Sequence, residues 1–223
     1  MKYLDDITQY YPYYKIKNFP RYQFSARDVR SGLAFVSYAY EKTSTNMGLF
    51  LLLLIHHLKS NGVDLSKVEF QSDNGSEFIG HPKSKHKTLY LKIAENFDVK
   101  TSLIPPARPT FNSDVEAFHS LIETEFYDQE DYSNLSDFLD KSFSYLTYFN
   151  VKRKFRYKLN KRPIDILIED RNLSFDNALN LALFYPVVLD YLFFFYFSFL
   201  PGYHLMRSDI LLIILFDTKF NRY

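Results

Sequence analysis

The sequence predicts an α/β domain in which a mixed β-sheet is packed against helices. Short segments that alternate apolar and polar residues predict strands, and longer segments with apolar residues at helical spacing predict helices. Their order along the chain is three strands, a helix, a strand, a helix, a strand and then helices. This pattern ends near Asp170, so the sequence predicts a domain over residues 1–170 and an apolar C-terminal tail over residues 171–223.

Three strands form the first part of the predicted sheet. They cover residues 2–7, 21–29 and 33–40. Residues 30–32, Arg-Ser-Gly, are a predicted hairpin turn between the second and third strands. A helix follows, with Ser44 or Thr45 as its cap, and continues to about Ser60. Its segment 49–55 is apolar on nearly all sides, which is typical of a helix buried inside a domain.

The fourth predicted strand ends at a carboxylate. Residues alternate in character over 68–73, and the Asn74–Gly75 pair that follows tolerates the left-handed backbone of a tight turn. Asp73 is therefore expected at the end of a rigid strand. A helix near residues 88–96 and a short strand over residues 99–104 come next.

Helices complete the predicted domain. The first begins after a cap at Asn112, Ser113 or Asp114, and its apolar residues recur at helical spacing. These apolar residues are Val115, Phe118, Leu121, Ile122 and Phe126. The second helix covers about residues 135–150, and its predicted core residues are Phe138, Leu139, Phe143, Leu146 and Phe149.

Composition excludes several kinds of site. The chain has no cysteine, which excludes disulfides, thiol nucleophiles and thiolate metal sites and makes a cytoplasmic location the expectation. With 27 basic and 26 acidic residues the net charge is +1, so the overall charge does not indicate a nucleic-acid partner. Only a local basic patch would do so. No apolar segment follows Lys2, so the N-terminus is not a signal peptide.

Two carboxylates stand where a metal site can be built. Asp73 ends a predicted strand, and Glu116 lies in the first turn of a predicted helix, with 42 residues (74–115) between them. Oxygen ligands of this kind suit Mg²⁺ or Mn²⁺, and a pair of such ions supports phosphodiester chemistry. That chemistry normally needs a third carboxylate as the shared bridge. The spacing alone also allows both acids to be solvated surface charges.

Three motifs occur in a characteristic order along the chain. They are Ser72-Asp73-Asn74-Gly75-Ser76-Glu77-Phe78, Ile104-Pro105-Pro106-Ala107 and Ser113-Asp114-Val115-Glu116-Ala117-Phe118-His119. Together with residues 22–32, they resemble the catalytic core of the retroviral-integrase-like transposases of bacterial insertion sequences, over Lys2 to about Asp170. The resemblance implies a ribonuclease-H-like fold, Mg²⁺ or Mn²⁺, and an acidic triad of Asp, Asp and Glu. By this likeness Asp73 is the second acid and Glu116 the third, both catalytic metal ligands.

The first acid of the triad is missing from the sequence as given. In similar proteins it lies on the first strand, two residues before the position that Lys2 occupies here, which is immediately before Met1. Asp5, Asp6 and Asp28 do not lie at suitable positions. Such transposases also carry an N-terminal helix-turn-helix region that binds the ends of the element. The expectation is therefore a core that is truncated at its start, with weak or no activity.

A cluster of cations follows the second helix of the predicted domain. It comprises Lys152, Arg153, Lys154, Arg156, Lys158, Lys161 and Arg162. Phe155 and Tyr157 lie between them. Cations supply the salt-dependent part of nucleic-acid affinity, and aromatic rings can stack on unpaired bases. The cluster is either a DNA-contacting surface or a solvated basic loop.

Two further sets of residues allow more than one interpretation. His119 and Glu123 lie on the same helix face as Glu116, either approaching DNA or metal or forming an exposed polar stripe. The apolar segment 182–200 favours a membrane helix at first sight, but Pro186 and Asp190 interrupt it. Its charge-free part, residues 191–206, has 16 residues, whereas a membrane span needs about 20. We therefore expect a tail that packs on the core, or one that exposes apolar surface.

The sequence thus favours one function and leaves an alternative. The favoured function is that of a transposase or integrase core, which cleaves and joins DNA phosphodiesters by direct attack of water or a DNA hydroxyl. Its expected partners are transposon ends and target DNA, and further copies of the chain in a homo-oligomer. The alternative is a non-catalytic remnant that binds DNA or transposase subunits through the cation cluster and the apolar tail.

Overall fold

The computed structural model describes residues 1–73, 75, 78, 87–105 and 113–192, and these form five strands and seven α-helices. In chain order they are β1 Lys2–Tyr3, α1 Tyr11–Lys17, β2 Tyr22–Arg27, β3 Ala34–Ala39, α2 Ser44–Ser60, β4 Glu69–Ser72, α3 Leu89–Asn96, β5 Lys100–Leu103, α4 Ser113–Ile122, α5 Leu135–Thr147, α6 Pro163–Arg171 and α7 Phe175–Ala182. π-Helical turns extend α4 over Glu123–Tyr127 and α5 over Tyr148–Lys152. The predicted mixed α/β class is confirmed.

The strands lie in two sheets among the described residues. One is the antiparallel sheet β1–β2–β3, and the other is the parallel pair β4–β5. β2 pairs with β3 over all six of its residues, but with β1 only at Tyr22 and Gln23. β1 has only two residues and pairs with β2 alone. Within the described residues no strand joins β2 to β4, so the strands do not form a single continuous sheet.

The start of the chain differs from its sequence-based assignment. The first strand ends at Tyr3, and Leu4 and Ile7 are buried in a turn that leads into α1. The sequence does not predict α1, because Pro12 favours an end of the preceding strand as well as the start of a helix. Pro lies in the first turn of α1, where its missing N–H has no helical partner to lose.

Helices cover both faces of the antiparallel sheet. All six residues of β3 are buried, and their side chains divide between two core clusters. Phe24 and Phe35 pack on the side of α2, whereas Val36 and Tyr38 pack with residues of α4 and α5. β3 is therefore the centre of a three-layer arrangement, which accounts for its almost continuous apolar sequence.

Helix α2 ends at the predicted residue but is capped by a different one. The Thr43 side chain accepts a hydrogen bond from the N–H of Asn46 at 3.1 Å, so the cap lies one residue before Ser44. Its central turns are buried, as the apolar segment predicted. Gly48 allows α2 to approach α3 closely, since a Cβ at this position would lie 2.6 Å from Cγ of Leu89.

The described part of the predicted tail, residues 171–192, packs on the core. Leu181, Ala182 and Leu189 are almost fully buried. The N–H of Tyr38 donates to the Val187 carbonyl at 2.8 Å, and Asp190 accepts from the N–H of Tyr40 at 2.7 Å. These contacts fit the expectation of a tail packed on the core, and the rest of the segment, residues 193–223, lies outside the described residues. Within the described part of the chain, no helix has the length and apolar character that a membrane span requires.

Candidate active site

A cavity of about 660 Å³ lies between the two sheets. Its lining includes Ser25–Arg27 of β2 and Glu69–Ser72 of β4. Apolar side chains of α2 line it as well, and the start of α4 borders it through Asp114 and Val115. Strand ends and a helix N-terminus therefore meet around one space, which is the kind of location where catalytic groups are commonly placed.

Asp73 follows directly after the last residue of β4. Its side chain is exposed, and its Oδ1 accepts a hydrogen bond from the N–H of Gly75 at 3.0 Å. This contact is a local turn of the kind that Asp side chains form with the backbone two residues later. The position agrees with the strand-end carboxylate that the sequence predicts, although Asn74 itself lies outside the described residues.

Glu116 lies in the first turn of α4, and its side chain is exposed. A carboxylate is favoured there by the positive end of the helix dipole. Arg27 of β2 fixes the start of this helix, because its guanidinium donates to the Asp114 carbonyl at 2.9 Å. The same guanidinium lies 5.5 Å from the ring centroid of Phe155. This role of Arg27 is not predictable from the sequence, because strand alternation predicts only which face a side chain occupies.

The cavity brings the two acidic positions to the same part of the molecule. Ser72, the residue before Asp73, and Val115, the residue before Glu116, both line it. The two carboxylates thus belong to segments that border one space, although neither Asp73 nor Glu116 itself lines it. In the described part of the chain, however, no group of three His, Asp or Glu side chains is placed to hold a metal ion. The described acids therefore fit only part of an oxygen-ligand site.

The face of α4 that carries His119 and Glu123 packs against the antiparallel sheet. Nε2 of His119 lies 3.1 Å from Oγ of Ser25, and Glu123 forms an ion pair with Lys2. Burial, together with the positive charges of the N-terminal amine and Lys2, lowers the pKa of His119 to about 3. The neutral His119 therefore has a structural role, since it forms a contact between α4 and β2.

The other acids near the start of the chain have structural partners. Asp5 forms an ion pair with Arg21, with 2.7 Å between the carboxylate oxygen and Nε. Asp28 accepts a hydrogen bond from the N–H of Ser31 at 2.9 Å and stabilises the hairpin turn before Leu33. Both acids thus contribute to local structure, Asp5 through an ion pair and Asp28 through a turn.

The cation cluster divides into two groups. Arg153 forms an ion pair with Glu125, and Lys161 and Arg162 pair with Glu169 and Asp165. Nζ of Lys158 donates to the carbonyls of Val29 and Arg30 at 3.0 and 2.9 Å. The remaining three side chains are exposed, and they are Lys152, Lys154 and Arg156. A role of the cluster in DNA contact stays a prediction that rests mainly on these three.

Comparisons with known proteins find similarity among solved structures. No protein-family model matches the chain, and no curated protein matches it. Among solved structures, the chain is similar to the catalytic core domain of BIV integrase. The two share 19% sequence identity with a TM-score of 0.47, and the similarity covers 67% of this chain and 87% of that chain.

Proposed function

We propose that the chain is a ribonuclease-H-like catalytic core of a transposase or integrase, which cleaves and joins DNA phosphodiesters in the cytoplasm. The observation that carries this proposal is the cavity between the sheets, which both the end of β4 and the start of α4 border. These two segments bear Asp73 and Glu116, and they also carry two of the three motifs that resemble the integrase-like core.

The acids define the chemistry that the site would support. Exposed carboxylate oxygens of Asp73 and Glu116 would hold Mg²⁺ or Mn²⁺, which prefer such ligands. When bound, these ions activate an attacking hydroxyl and stabilise the leaving oxygen in phosphodiester cleavage. The chain itself would supply orientation: the hydrogen bond from Gly75 directs one oxygen of Asp73, and Arg27 holds the helix of Glu116.

We propose that a third carboxylate beyond the described residues completes the set. The resemblance places it immediately before Met1. The register Lys2↔Gln23 and Tyr3↔Tyr22 puts that position opposite Ser25 of β2. Since Ser25 lines the cavity and contacts α4 through His119, an acid there would stand on the same side of the sheet as α4. We expect cleavage to depend on all three carboxylates.

A nicking assay tests the proposal on the chain as it stands. Labelled double-stranded DNA is incubated with the protein and Mg²⁺ or Mn²⁺, and the expected result is weak nicking that needs the metal. Asp73→Asn and Glu116→Gln should each abolish it. Asp98→Asn is the matched control, because Asp98 is an exposed acid in the connection between α3 and β5, outside the segments that carry Asp73 and Glu116. Nicking that survives both active-site substitutions would contradict the assignment.

The second candidate function is a non-catalytic module that binds DNA or transposase subunits. It is favoured by one observation, namely that the described residues hold no group of three metal-binding side chains. DNA binding through Lys152, Lys154 and Arg156 without metal-dependent nicking would support it. In that case Asp73→Asn would leave DNA affinity unchanged.

A further inference from the structure

A continuous series of polar side chains crosses the aromatic core between the antiparallel sheet and helices α4 and α5. Its members, called the relay below, are Ser142, Tyr38, Tyr127, Gln23, Ser25 and His119. The first four are fully buried, and the last two are partly buried. Polar groups in an apolar core need hydrogen-bond partners, because an unpaired one destabilises the fold. The relay supplies these partners from within itself, and it connects α5 to α4 through β3 and β2.

The direction of its first three hydrogen bonds follows from counting protons. Tyr127 donates to Oε1 of Gln23 at 2.5 Å. Because a hydroxyl has only one proton, the 3.1 Å contact between the hydroxyls of Tyr127 and Tyr38 needs the proton of Tyr38. The hydroxyl of Ser142, 2.5 Å from that of Tyr38, must then donate in its turn. All three hydrogen bonds therefore point from α5 towards β2.

Gln23 carries the same direction into the second half of the relay. Its amide accepts at Oε1 and donates through Nε2 to Oγ of Ser25 at 2.7 Å. Oγ of Ser25 lies 3.1 Å from Nε2 of His119, and by geometry alone either atom can donate in this contact. Aligned hydrogen bonds polarise and strengthen one another, which favours the Ser25 hydroxyl as the donor. Nε2 of His119 is then the final acceptor.

We propose that the relay fixes His119 as the neutral tautomer that carries its proton on Nδ1, and that it thereby positions the turn of α4 that bears Glu116. The hydrogen bond that one imidazole nitrogen makes decides which nitrogen is protonated. Glu116 lies three residues before His119 on the same side of the helix, so the contact between His119 and β2 also restrains Glu116. The importance of Glu116 rests on the proposed function, whereas the tautomer does not depend on it.

Nitrogen-15 NMR of labelled histidine tests the tautomer directly, because protonated and unprotonated ring nitrogens have well-separated chemical shifts. Near neutral pH, His119 should give the signals of the Nδ1–H form, and His119→Gln identifies them. Ser25→Ala removes the donor, so the Nε2–H form that imidazole favours in water should predominate. Ser25→Thr keeps a hydroxyl and should retain the Nδ1–H form. An Nε2–H tautomer in the wild-type protein would overturn the proposal.

Two buried tyrosines show whether the relay acts over its whole length. Tyr127→Phe leaves Oε1 of Gln23 without its donor and allows the amide to turn over, so His119 should show both tautomers. Tyr132→Phe is the matched control. Tyr132 lies in the same aromatic cluster, and within the described residues its buried hydroxyl has no hydrogen-bond partner. Equal effects of the two substitutions on the His119 signals would contradict a continuous relay.

The nicking rate separates the positioning role from the proposed function. Ser25→Ala should lower the rate at saturating DNA at least roughly tenfold and leave DNA affinity unchanged, because the acid is displaced without loss of a DNA contact. Ser25→Thr should restore the rate. An unchanged rate in Ser25→Ala would overturn the positioning role and leave the proposed function intact.

Amide hydrogen exchange measures the same role without catalysis. In α4 the N–H of Ser120 faces the carbonyl of Glu116, so its exchange reports on this turn of the helix. Ser25→Ala should make the Ser120 amide exchange at least roughly tenfold faster, and Tyr132→Phe should not. If the wild-type chain does not nick DNA, the proposed function fails, and an unchanged Ser120 exchange in Ser25→Ala would overturn the positioning role separately.

Discussion

At the scale of single residues, Asn150 joins three buried backbone groups. Its Oδ1 accepts from the N–H of Ala34, and its Nδ2 donates to the carbonyls of Ala34 and Ala182, each at 2.9 Å. Asn150→Leu should lower the free energy of unfolding by about 2–4 kcal/mol, because these groups lose their partners in the core. Denaturant unfolding measures this. Asn180→Leu on the exposed side of α7 is the control, and a similar effect of both substitutions would contradict the account.

His57 makes the stability of the protein dependent on pH. Burial lowers its pKa from the usual 6.5, and the hydrogen bond to the Leu181 carbonyl only partly offsets this. Because the unfolded state then binds more protons below pH 6.5, the free energy of unfolding should fall as the pH decreases through that value. His119 acts in the same direction, since its pKa is also lowered.

Urea unfolding between pH 5 and pH 8 separates the two histidines. In His57→Gln the loss of stability on acidification should be smaller than in the wild-type protein, and in the double variant with His119→Gln it should be smaller still. If neither substitution changes the pH dependence of the free energy of unfolding, His57 and His119 are not its cause.

At the scale of elements, the contact between α2 and α3 depends on Gly48. A Cβ at this position would lie 2.6 Å from Cγ and 2.9 Å from Cβ of Leu89, so one helix must move. Gly48→Val should destabilise the protein by about 1–3 kcal/mol, the usual cost of overpacking. Thermal unfolding checks this, and Leu89→Ala should recover part of the loss in the double variant. Additive effects of the two substitutions would contradict a direct contact.

Most elements follow from local sequence, and the exceptions have physical reasons. The apolar segment of α2 and the alternating residues of β2 predict both elements to within a few residues. α1 is not predicted from the sequence, because Pro12 fits either a non-helical turn or the first turn of a helix. The extent of β1 depends on long-range pairing with β2, which a local pattern does not contain.

The acidic positions were predicted and the supporting contacts were not. Asp73 and Glu116 stand where strand-end and helix-start patterns place them. The roles of Arg27 and Ser25 arise only when α4 packs on β2, because both contacts join residues far apart in the chain. For the same reason the sequence could not distinguish the cations that form internal ion pairs from those that remain exposed.

At the scale of the whole molecule, DNA affinity should depend on the three exposed cations. Replacing Lys152, Lys154 and Arg156 by Gln should weaken binding and lower the slope of log K against log salt by about 2.7, or 0.9 for each lost contact. Replacing Lys158, Lys161 and Arg162 by Gln is the matched control with the same change in net charge. Titrations of labelled DNA at several salt concentrations provide the measurement. An equal effect of both triple variants would contradict this assignment.

We expect the cavity between the sheets to form an active site with Asp73 and Glu116. The most direct measurement is metal-dependent nicking by a chain extended with Val-Thr-Val-Asp before Met1, compared with the same chain extended with Val-Thr-Val-Thr. The Asp-bearing chain should nick DNA well above the Thr-bearing chain, and Asp73→Asn or Glu116→Gln should abolish this gain. A folded Asp-bearing chain that nicks DNA no more than the Thr-bearing chain would contradict a catalytic role of this cavity.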